Sequence, residues 1–243
     1  MPNKITQAVI LCAGLGTRLR PLTDMIPKVM VPIAGRPLLE RHIERLKGYG
    51  IDELFINLHY LPEIITDYCG DGSKWGVKIR YSFEPKILGT GGGIKQFEKD
   101  LDVNFLVVYG DMVSLIDYSK MIEEYFKKDN PIGMTIVGDR DSRLDSFDLA
   151  EIEESGKIIK IYPKPHMETP PHYKAFLAGH ILSKRMLSYV PPDTEYNIDH
   201  QAIPEALAKG ENFYAYETDE YIEDIGTLER YKKVEQYFLE KGL

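Results

Sequence analysis

Residues 7–37 read QAVILCAGLGTRLRPLTDMIPKVMVPIAGRP, and the fold class turns on how this stretch opens. Gln7 to Cys12 is a continuous apolar run, the pattern of a strand buried on both faces of a parallel sheet. Ala13-Gly14-Leu15-Gly16-Thr17-Arg18-Leu19-Arg20-Pro21 follows, and two phosphate-binding patterns can be tested against it. A Walker loop needs G-x-x-x-x-G-K-[ST], which occurs nowhere in the chain. A dinucleotide fingerprint needs a small residue where Leu19 stands and a helix starting at once, yet Pro21 follows. What remains is a strand end delivering small residues, then Arg18 and Arg20, then Pro27-Lys28. Glycines let backbone N–H groups come close to anionic oxygens, and the nearby cations neutralise them, so a triphosphate fits. The glycines alone fit a solvated turn with incidental charge equally well.

Working outward, strands alternate with helices through the first half of the chain. Pro37 to Lys47 places Leu38, Leu39, His42, Ile43 and Leu46 on one helical face, with proline in the first turn. Glu53 to Leu58 reads as a second strand, Pro62 to Tyr68 as a helix and Val77 to Phe83 as a third strand. Asn104 to Tyr109, apolar in its middle, is expected to be central, and Tyr118 to Lys128 to be helical. From Pro131 the pattern becomes antiparallel. Short strands are expected at Ile132 to Val137, Leu149 to Glu153, Ile158 to Tyr162 and Phe176 to Leu182, with a hairpin-like turn at Ser155-Gly156 and a Pro-rich loop at His166 to His172. Asp199 to Lys209 reads as a helix closed by Gly210, Phe213 to Glu217 as a strand, and Thr227 to Leu239 as a terminal helix capped by Thr227. The expected fold class is α/β, a Rossmann-like, mostly parallel central sheet flanked by helices, with a smaller antiparallel lobe in a single domain spanning 1–243.

Composition narrows the function. Lys and Arg number 30 against 38 Asp and Glu, a net charge of −8, which disfavours a protein that coats nucleic acid or an anionic membrane. Two cysteines, Cys12 and Cys69, are too few for a disulfide scaffold or a thiolate metal cage. No stretch approaches the roughly 20 apolar residues of a membrane helix, and the first apolar run, Ala8 to Cys12, is short and without the charged flank and small-residue cleavage pattern expected of a secretion signal. A cytoplasmic location is expected, with neither nucleic acid nor membrane as partner.

Residues 11–40, LCAGLGTRLRPLTDMIPKVMVPIAGRPLLE, resemble the signature of the sugar-1-phosphate nucleotidyltransferases, in which G-x-G-T-R-L-x-P-x-T is followed by P-K and by P-[VI]-x-x-[KR]-P-[LM]. ILGTGGGIK, VVYGDM, AFLAGHILS and YIEDIGTLERY continue the resemblance in the family's order. It implies transfer of a nucleoside monophosphate from an NTP to a sugar 1-phosphate, with release of pyrophosphate. The physical problem is to bring two polyanions together, which a divalent metal and fixed cations solve. An ionised phosphate nucleophile needs no general base.

The resemblance then assigns roles by residue. Arg18 takes the β and γ phosphates and Lys28 the α-phosphate oxygens, with Leu11, Ala13, Gly14, Gly16 and Thr17 completing the phosphate loop. Asp111, in Tyr109-Gly110-Asp111, and Asp224, of Glu223-Asp224-Ile225-Gly226-Thr227, are the ligands of Mg²⁺, with Glu223 a competitor of Asp224. The two aspartates stand 113 positions apart, so only the fold can make them neighbours. Gly89, Thr90 and Gly91 belong to a base-reading loop whose costly glycines a closely approaching ligand would explain. Lys164 matches the lysine that binds the sugar's phosphate, although Pro163 replaces the family's glutamate. Asp148, Gly179, Asn197 and Asp199 are sugar-side candidates. On this basis about 1–130 is the nucleotide-binding half and 131–243 the sugar-phosphate half with the terminal helix. The chain is expected to end at that helix without the β-helix of longer relatives, and a homodimer is compatible with it.

The base is read from small differences. Thr90 replaces the glutamine of thymidylyl members, and Ala13 before Gly14 looks more like uridylyl and some cytidylyl members. Residues 26–40 followed by 70–95 resemble short bacterial guanylyltransferases acting on mannose or manno-heptose 1-phosphate, while GDGS, YS and TGGGI within the second segment are also similar to N-acetylmuramate-1-phosphate uridylyltransferases. GTP with a D-manno-configured sugar 1-phosphate is the expected pair. A UTP- or CTP-dependent enzyme acting on N-acetylmuramate or glucose 1-phosphate is the alternative within the class. A non-catalytic nucleotide-sugar sensor is the alternative outside it.

Overall fold

The structure, a computed structural model, describes residues 4–139, 147–166 and 172–243. Most of the Pro-rich loop expected at 166–172 lies outside the described residues. In chain order come β1 (Gln7–Leu11), β2 (Pro32–Ile33), β3 (Arg36–Pro37), α1 (Leu38–Gly48), β4 (Glu53–Leu58), α2 (Pro62–Cys69), β5 (Lys78–Phe83), α3 (Gly89–Lys95), β6 (Asn104–Tyr109) and β7 (Met112–Ser114). They are followed by α4 (Tyr118–Lys127), β8 (Gly133–Gly138), β9 (Asp148–Ile152), β10 (Ile158–Tyr162), β11 (Tyr173–Ser183), α5 (Ile203–Ala208), β12 (Phe213–Glu217), β13 (Ile222–Asp224) and α6 (Leu228–Lys241). The class is mixed α/β, with parallel strands flanked by helices and an antiparallel lobe, as the alternation in sequence predicts.

These elements form two compact units interleaved along the chain, 6–87 with 108–115 and 221–243, and 1–5 with 88–107 and 116–220. The units therefore do not divide the chain at one point near residue 130. The reason is the terminal helix: Val234 and Phe238 of α6 bury in one cluster with Leu19, Val31, Ile33, Leu38, Val113 and Ile225. Each such fully buried aliphatic or aromatic side chain contributes roughly 1.5–3 kcal/mol, so α6 is held where its apolar face finds partners.

In the first unit β1, β4 and β5 form a parallel ladder, with Val9 opposite Phe55 and Phe55 opposite Arg80. The apolar middle of β1 is buried, which is why QAVIL carries no polar alternation. β7 and β13 pair antiparallel with Asp224 opposite Met112 and Glu223 opposite Val113. At three residues each, they are too short to show a period in sequence. α1 buries Leu38, Leu39, His42, Ile43 and Leu46, the face its spacing predicts. His42 Nε2 lies 3.2 Å from the Gly110 carbonyl, which only accepts, so Nε2 carries the proton. Burial lowers the His42 pKa to about 4, outweighing the Gly110 hydrogen bond and the nearby Asp111 charge.

The second unit is built on β11, which pairs antiparallel with β6, β8 and β9, while β10 pairs with β9 and β12 lies parallel to β8. β11 is longer than the expected Phe176 to Leu182, because Tyr173 to Phe176 find partners on β9. The single helix expected over Asp199 to Lys209 is instead a π turn, Ile198–Ala202, continued by α5. Pro204 has no N–H to give and its ring crowds the carbonyl four residues back, so the chain widens there, and Ile203 N bonds to Ile198 O. α3 packs against the backbone of 194–198: a Cβ on Gly92 would lie 2.5 Å from Thr194 O.

Two outcomes follow from this packing. Gly92→Ala is expected to lower stability by about 1–3 kcal/mol in urea unfolding, since backbone cannot yield as a side chain does. For His42, the folded pKa lies below the unfolded value of about 6.5, so its contribution is complete above pH 6.5 and is lost as pH falls toward 4. Lowering the pH from 7 to 4.5 is expected to cost the wild type about 2 kcal/mol more stability in urea unfolding than it costs His42→Leu.

Candidate active site

The first unit gathers cations and carboxylates at the carboxyl end of β1. Cys12 N donates to Asn57 Oδ1 at 2.7 Å, and Asn57 Nδ2 donates to the buried Glu84 at 2.8 Å, which fixes the end of the strand. Gly16 turns the loop with φ +64°, its carbonyl accepting from Thr23 Oγ1 at 2.7 Å. A Cβ there would come 3.1 Å from both Lys28 Cβ and Thr23 Cγ2. Thr17–Leu19 then makes one 3-10 turn that buries Leu19 and leaves Thr17 and Arg18 in solvent. Leu11 is half-buried and Ala13 buried, while Gly14 is exposed. One buried leucine thus anchors a loop whose polar groups face outward.

Lys28 sits in a second 3-10 turn, Lys28–Met30, behind Pro27. Its side chain is 10% exposed, and its Nζ lies 2.5 Å from Asp111 Oδ2. Asp111 is placed by its neighbour: Gly110 N donates to Leu11 O at 3.0 Å, and a Cβ on Gly110 would lie 2.7 Å from that same oxygen. Any side chain at 110 would push Asp111 away from Lys28.

The β7–β13 ladder brings the second carboxylate in. Ile225 N donates to Asp111 O at 3.1 Å, so Asp224 stands one residue from a direct backbone bond to Asp111. Asp224 Oδ1 accepts from Gly226 N at 2.7 Å, and its Oδ2 lies 2.5 Å from Arg230 Nη1. The Arg18 guanidinium reaches over the same turn, 3.5 Å from where a Cβ on Gly226 would sit. Glu223 is buried, with Lys233 Nζ 3.8 Å away. Arg18, Lys28, Asp111 and Asp224 are therefore gathered within one unit. Arg230, His42 and Asn57 join them without having been singled out in sequence. Thr227 as a helix cap was the available signal for Arg230, because it fixes which residues occupy the first turn of α6.

A cation would find carboxylate oxygens here and little else. Among the described residues no group of three or more His, Cys, Asp and Glu side chains converges. The donor set of Asp111 and Asp224 fits a hard divalent cation that keeps water and substrate phosphate in its remaining positions, as Mg²⁺ does.

The second unit holds the remaining candidates. Gly89 has φ +70°, Gly91 N and Gly92 N donate to Tyr196 O at 2.8 and 3.1 Å, and Thr90 Oγ1 accepts from Ile198 N at 2.9 Å. The glycines thus meet the chain's own backbone at 194–198, where the sequence suggested a ligand. Asp148 is buried; its Oδ1 accepts from Lys164 N at 3.0 Å and its Oδ2 lies 3.6 Å from His200 Nδ1. Gly179, with φ +128°, sits at the register shift of β11, where a Cβ would lie 2.6 Å from Ile136 Cδ1. Asn197 caps the π turn, its Oδ1 accepting from Asp199 N and His200 N, both at 2.9 Å. Asp199 Oδ1 in turn lies 3.0 Å from Nε2 of the fully buried His180, whose Nδ1 lies 2.9 Å from Thr135 Oγ1.

The chain matches the model of the nucleotidyl transferase family over residues 7–241. It is 31% identical over 237 residues to UTP–glucose-1-phosphate uridylyltransferase of Synechocystis, covering 93% of this chain and 61% of that protein. It therefore spans about three fifths of the length of that relative. It is 29% identical to D-glycero-alpha-D-manno-heptose 1-phosphate guanylyltransferase of Aneurinibacillus thermoaerophilus, covering 95% and 97% of the two chains. The crystal structure of HddC from Yersinia pseudotuberculosis complexed with GMP-PN superposes with a TM-score of 0.77 at 28% identity, over 96% of this chain and 100% of that one. With its glycine loop, its Lys28–Asp111 pair and a match that runs from the first strand to the terminal helix, this chain belongs to the nucleotidyl transferase family.

Proposed function

We propose that this protein transfers a nucleoside monophosphate from a nucleoside triphosphate to a sugar 1-phosphate, releasing pyrophosphate and an NDP-sugar. The observation that carries this reading is the gathering of Arg18, Lys28, Asp111, Asp224 and Arg230 in one unit at the end of β1. A non-catalytic sensor has no need of paired carboxylates set among so many cations.

The sugar phosphate oxygen attacks the α-phosphorus in line. A P–O bond forms there, the bond to the β-phosphate oxygen breaks, and its electron pair leaves with pyrophosphate. No proton has to be removed from the nucleophile, so the site needs charge and position rather than a base. Lys28, held rigid by Pro27 and by burial, meets the α-phosphate oxygens. Arg18, exposed on its anchored turn, clamps the leaving pyrophosphate bidentately. Leu11, Ala13, Gly14, Gly16 and Thr17 shape the loop against the phosphates. Asp111 and Asp224 would hold Mg²⁺, which when bound supplies positive charge to the equatorial and leaving oxygens. Glu223 is the more buried of the two carboxylates, its side chain 5% exposed against 17% for Asp224, which favours Asp224 as the second ligand.

Gly89, Thr90 and Gly91 are assigned to the base through groups other than the Gly91 N–H that Tyr196 O already holds, the Thr90 hydroxyl being able to donate while it accepts from Ile198 N, and Lys164, Asp148, Gly179 and Asn197 serve the sugar phosphate. Asn197 acts chiefly through the turn it caps. The substrate pair is GTP with a D-manno-configured sugar 1-phosphate, supported by the guanylyltransferase of nearly equal length and by the HddC–GMP-PN structure. UTP is the second reading, supported by the uridylyltransferase relative. We place the reaction in the cytoplasm, where nucleoside triphosphates are made and where Cys12 and Cys69 stay as buried free thiols. Among the described residues no helix is long and apolar enough to cross a membrane.

Pyrophosphate release with GTP, UTP, CTP and dTTP against mannose, manno-heptose, glucose and N-acetylmuramate 1-phosphates tests this reading. The expected result is turnover with Mg²⁺, fastest for GTP with a manno sugar; silence across the panel overturns the enzyme and favours the sensor. Arg18→Ala and Lys28→Ala are each expected to lower turnover by about 10² or more; Arg18→Ala leaves thermal unfolding unchanged, while Lys28→Ala, which strips Asp111 of its buried partner, keeps the fold by circular dichroism but unfolds at lower temperature. Wild-type turnover in either variant removes that residue from the mechanism.

A further inference from the structure

Asp224 has both carboxylate oxygens engaged by the chain itself. Oδ1 accepts from Gly226 N at 2.7 Å, and Oδ2 meets Arg230 Nη1 at 2.5 Å. The pair is well shielded, the Asp224 side chain being 17% and the Arg230 side chain 27% exposed. Arg230 is not free to wander. Thr227 caps α6, its Oγ1 accepting from Arg230 N at 3.3 Å, so the residue is fixed in the first helical turn with its guanidinium turned back onto the strand that precedes the helix. A second guanidinium, that of Arg18, lies against the same Gly226 turn.

A divalent cation approaching Asp224 alone meets a carboxylate already neutralised and a fixed positive charge beside it. It must displace that charge or sit near it, and in a shielded site like-charge repulsion is poorly screened. A cation arriving with a triphosphate brings its own anionic oxygens, which give both arginines new partners as Asp224 is released.

We propose that Arg230 guards Asp224 against the divalent cation in the nucleotide-free protein, so that cation and triphosphate are taken up together. The proposal rests on Asp224 being a cation ligand, as the reaction described above requires. It makes Arg230 a positioning residue whose removal has an unusual sign. If Arg230 merely held Asp224 in place, truncating it would leave cation binding unchanged or weaker. If it guards the carboxylate, truncation strengthens cation binding in the absence of nucleotide.

Titration of nucleotide-free protein with Mn²⁺, read by the EPR signal of the free ion, separates these outcomes. Arg230→Gln and Arg230→Met are expected to bind Mn²⁺ about tenfold or more tightly than the wild type, and Arg230→Lys to stay within about twofold of it. Adding Asp224→Asn to Arg230→Gln is expected to abolish the gain. Thermal unfolding of each variant checks the fold, and two truncations at 230 guard against the failure of one. Unchanged or weaker Mn²⁺ binding in the truncated variants, with Asp224→Asn alone reducing it, overturns the guarding role and leaves the reaction assignment standing. A gain that survives Asp224→Asn shows that Asp224 is not the ligand, and overturns both.

Discussion

Asp111 meets Lys28 because the residue before it has no side chain. Gly110 is pressed against the carbonyl of Leu11 at the end of β1, and its own carbonyl accepts from the imidazole of His42. That clamp sets where the chain leaves the strand, and from it Asp111 reaches the buried Lys28. The backbone bond from Ile225 to Asp111 O then carries the far end of the chain, with Asp224 and the start of α6, to the same place. The interleaving of the first unit follows from this constraint: segments near residues 10, 110 and 224 must fold together for any of the polar groups to have partners.

The site balances charge before any substrate enters. Each carboxylate carries a cation, Lys28 on Asp111 and Arg230 on Asp224, and both pairs are partly shielded from water. Unpaired, such groups would be costly to shield; paired, they persist as a preformed set of opposite charges that a polyanion can rearrange without building it anew. Arg18, exposed on a turn anchored by Leu19, is the group of this set most open to solvent.

Much of this was legible in sequence. Continuous apolar runs located β4 and β6, and clean boundaries at polar or turn residues located β10 and β12. Motif order singled out Arg18, Lys28, Asp111 and Asp224, which the structure places in one unit. What escaped was whatever depends on contact. β7 and β13 have three residues each and no period to read. Asn57 and His42 lie within elements whose apolar pattern masks their polar role at the end of β1 and behind Gly110. The glycines of α3 signalled a close approach correctly, yet sequence could not say that the approaching atoms belong to Thr194 and Tyr196. The π turn escaped because the helix expected from Asp199 to Lys209 carries straight through Pro204, the interior proline at which the regular ladder breaks.

In the proposed reaction Asp111 and Asp224 serve one cation at one triphosphate. The most direct measurement is a crystal structure with Mn²⁺ and a non-hydrolysable GTP analogue, with anomalous scattering recorded at the manganese edge. The expected result is an anomalous peak within coordination distance of both carboxylates, with Lys28 and Arg18 on the phosphates. A peak held by neither aspartate, or a triphosphate bound away from Lys28, would contradict it.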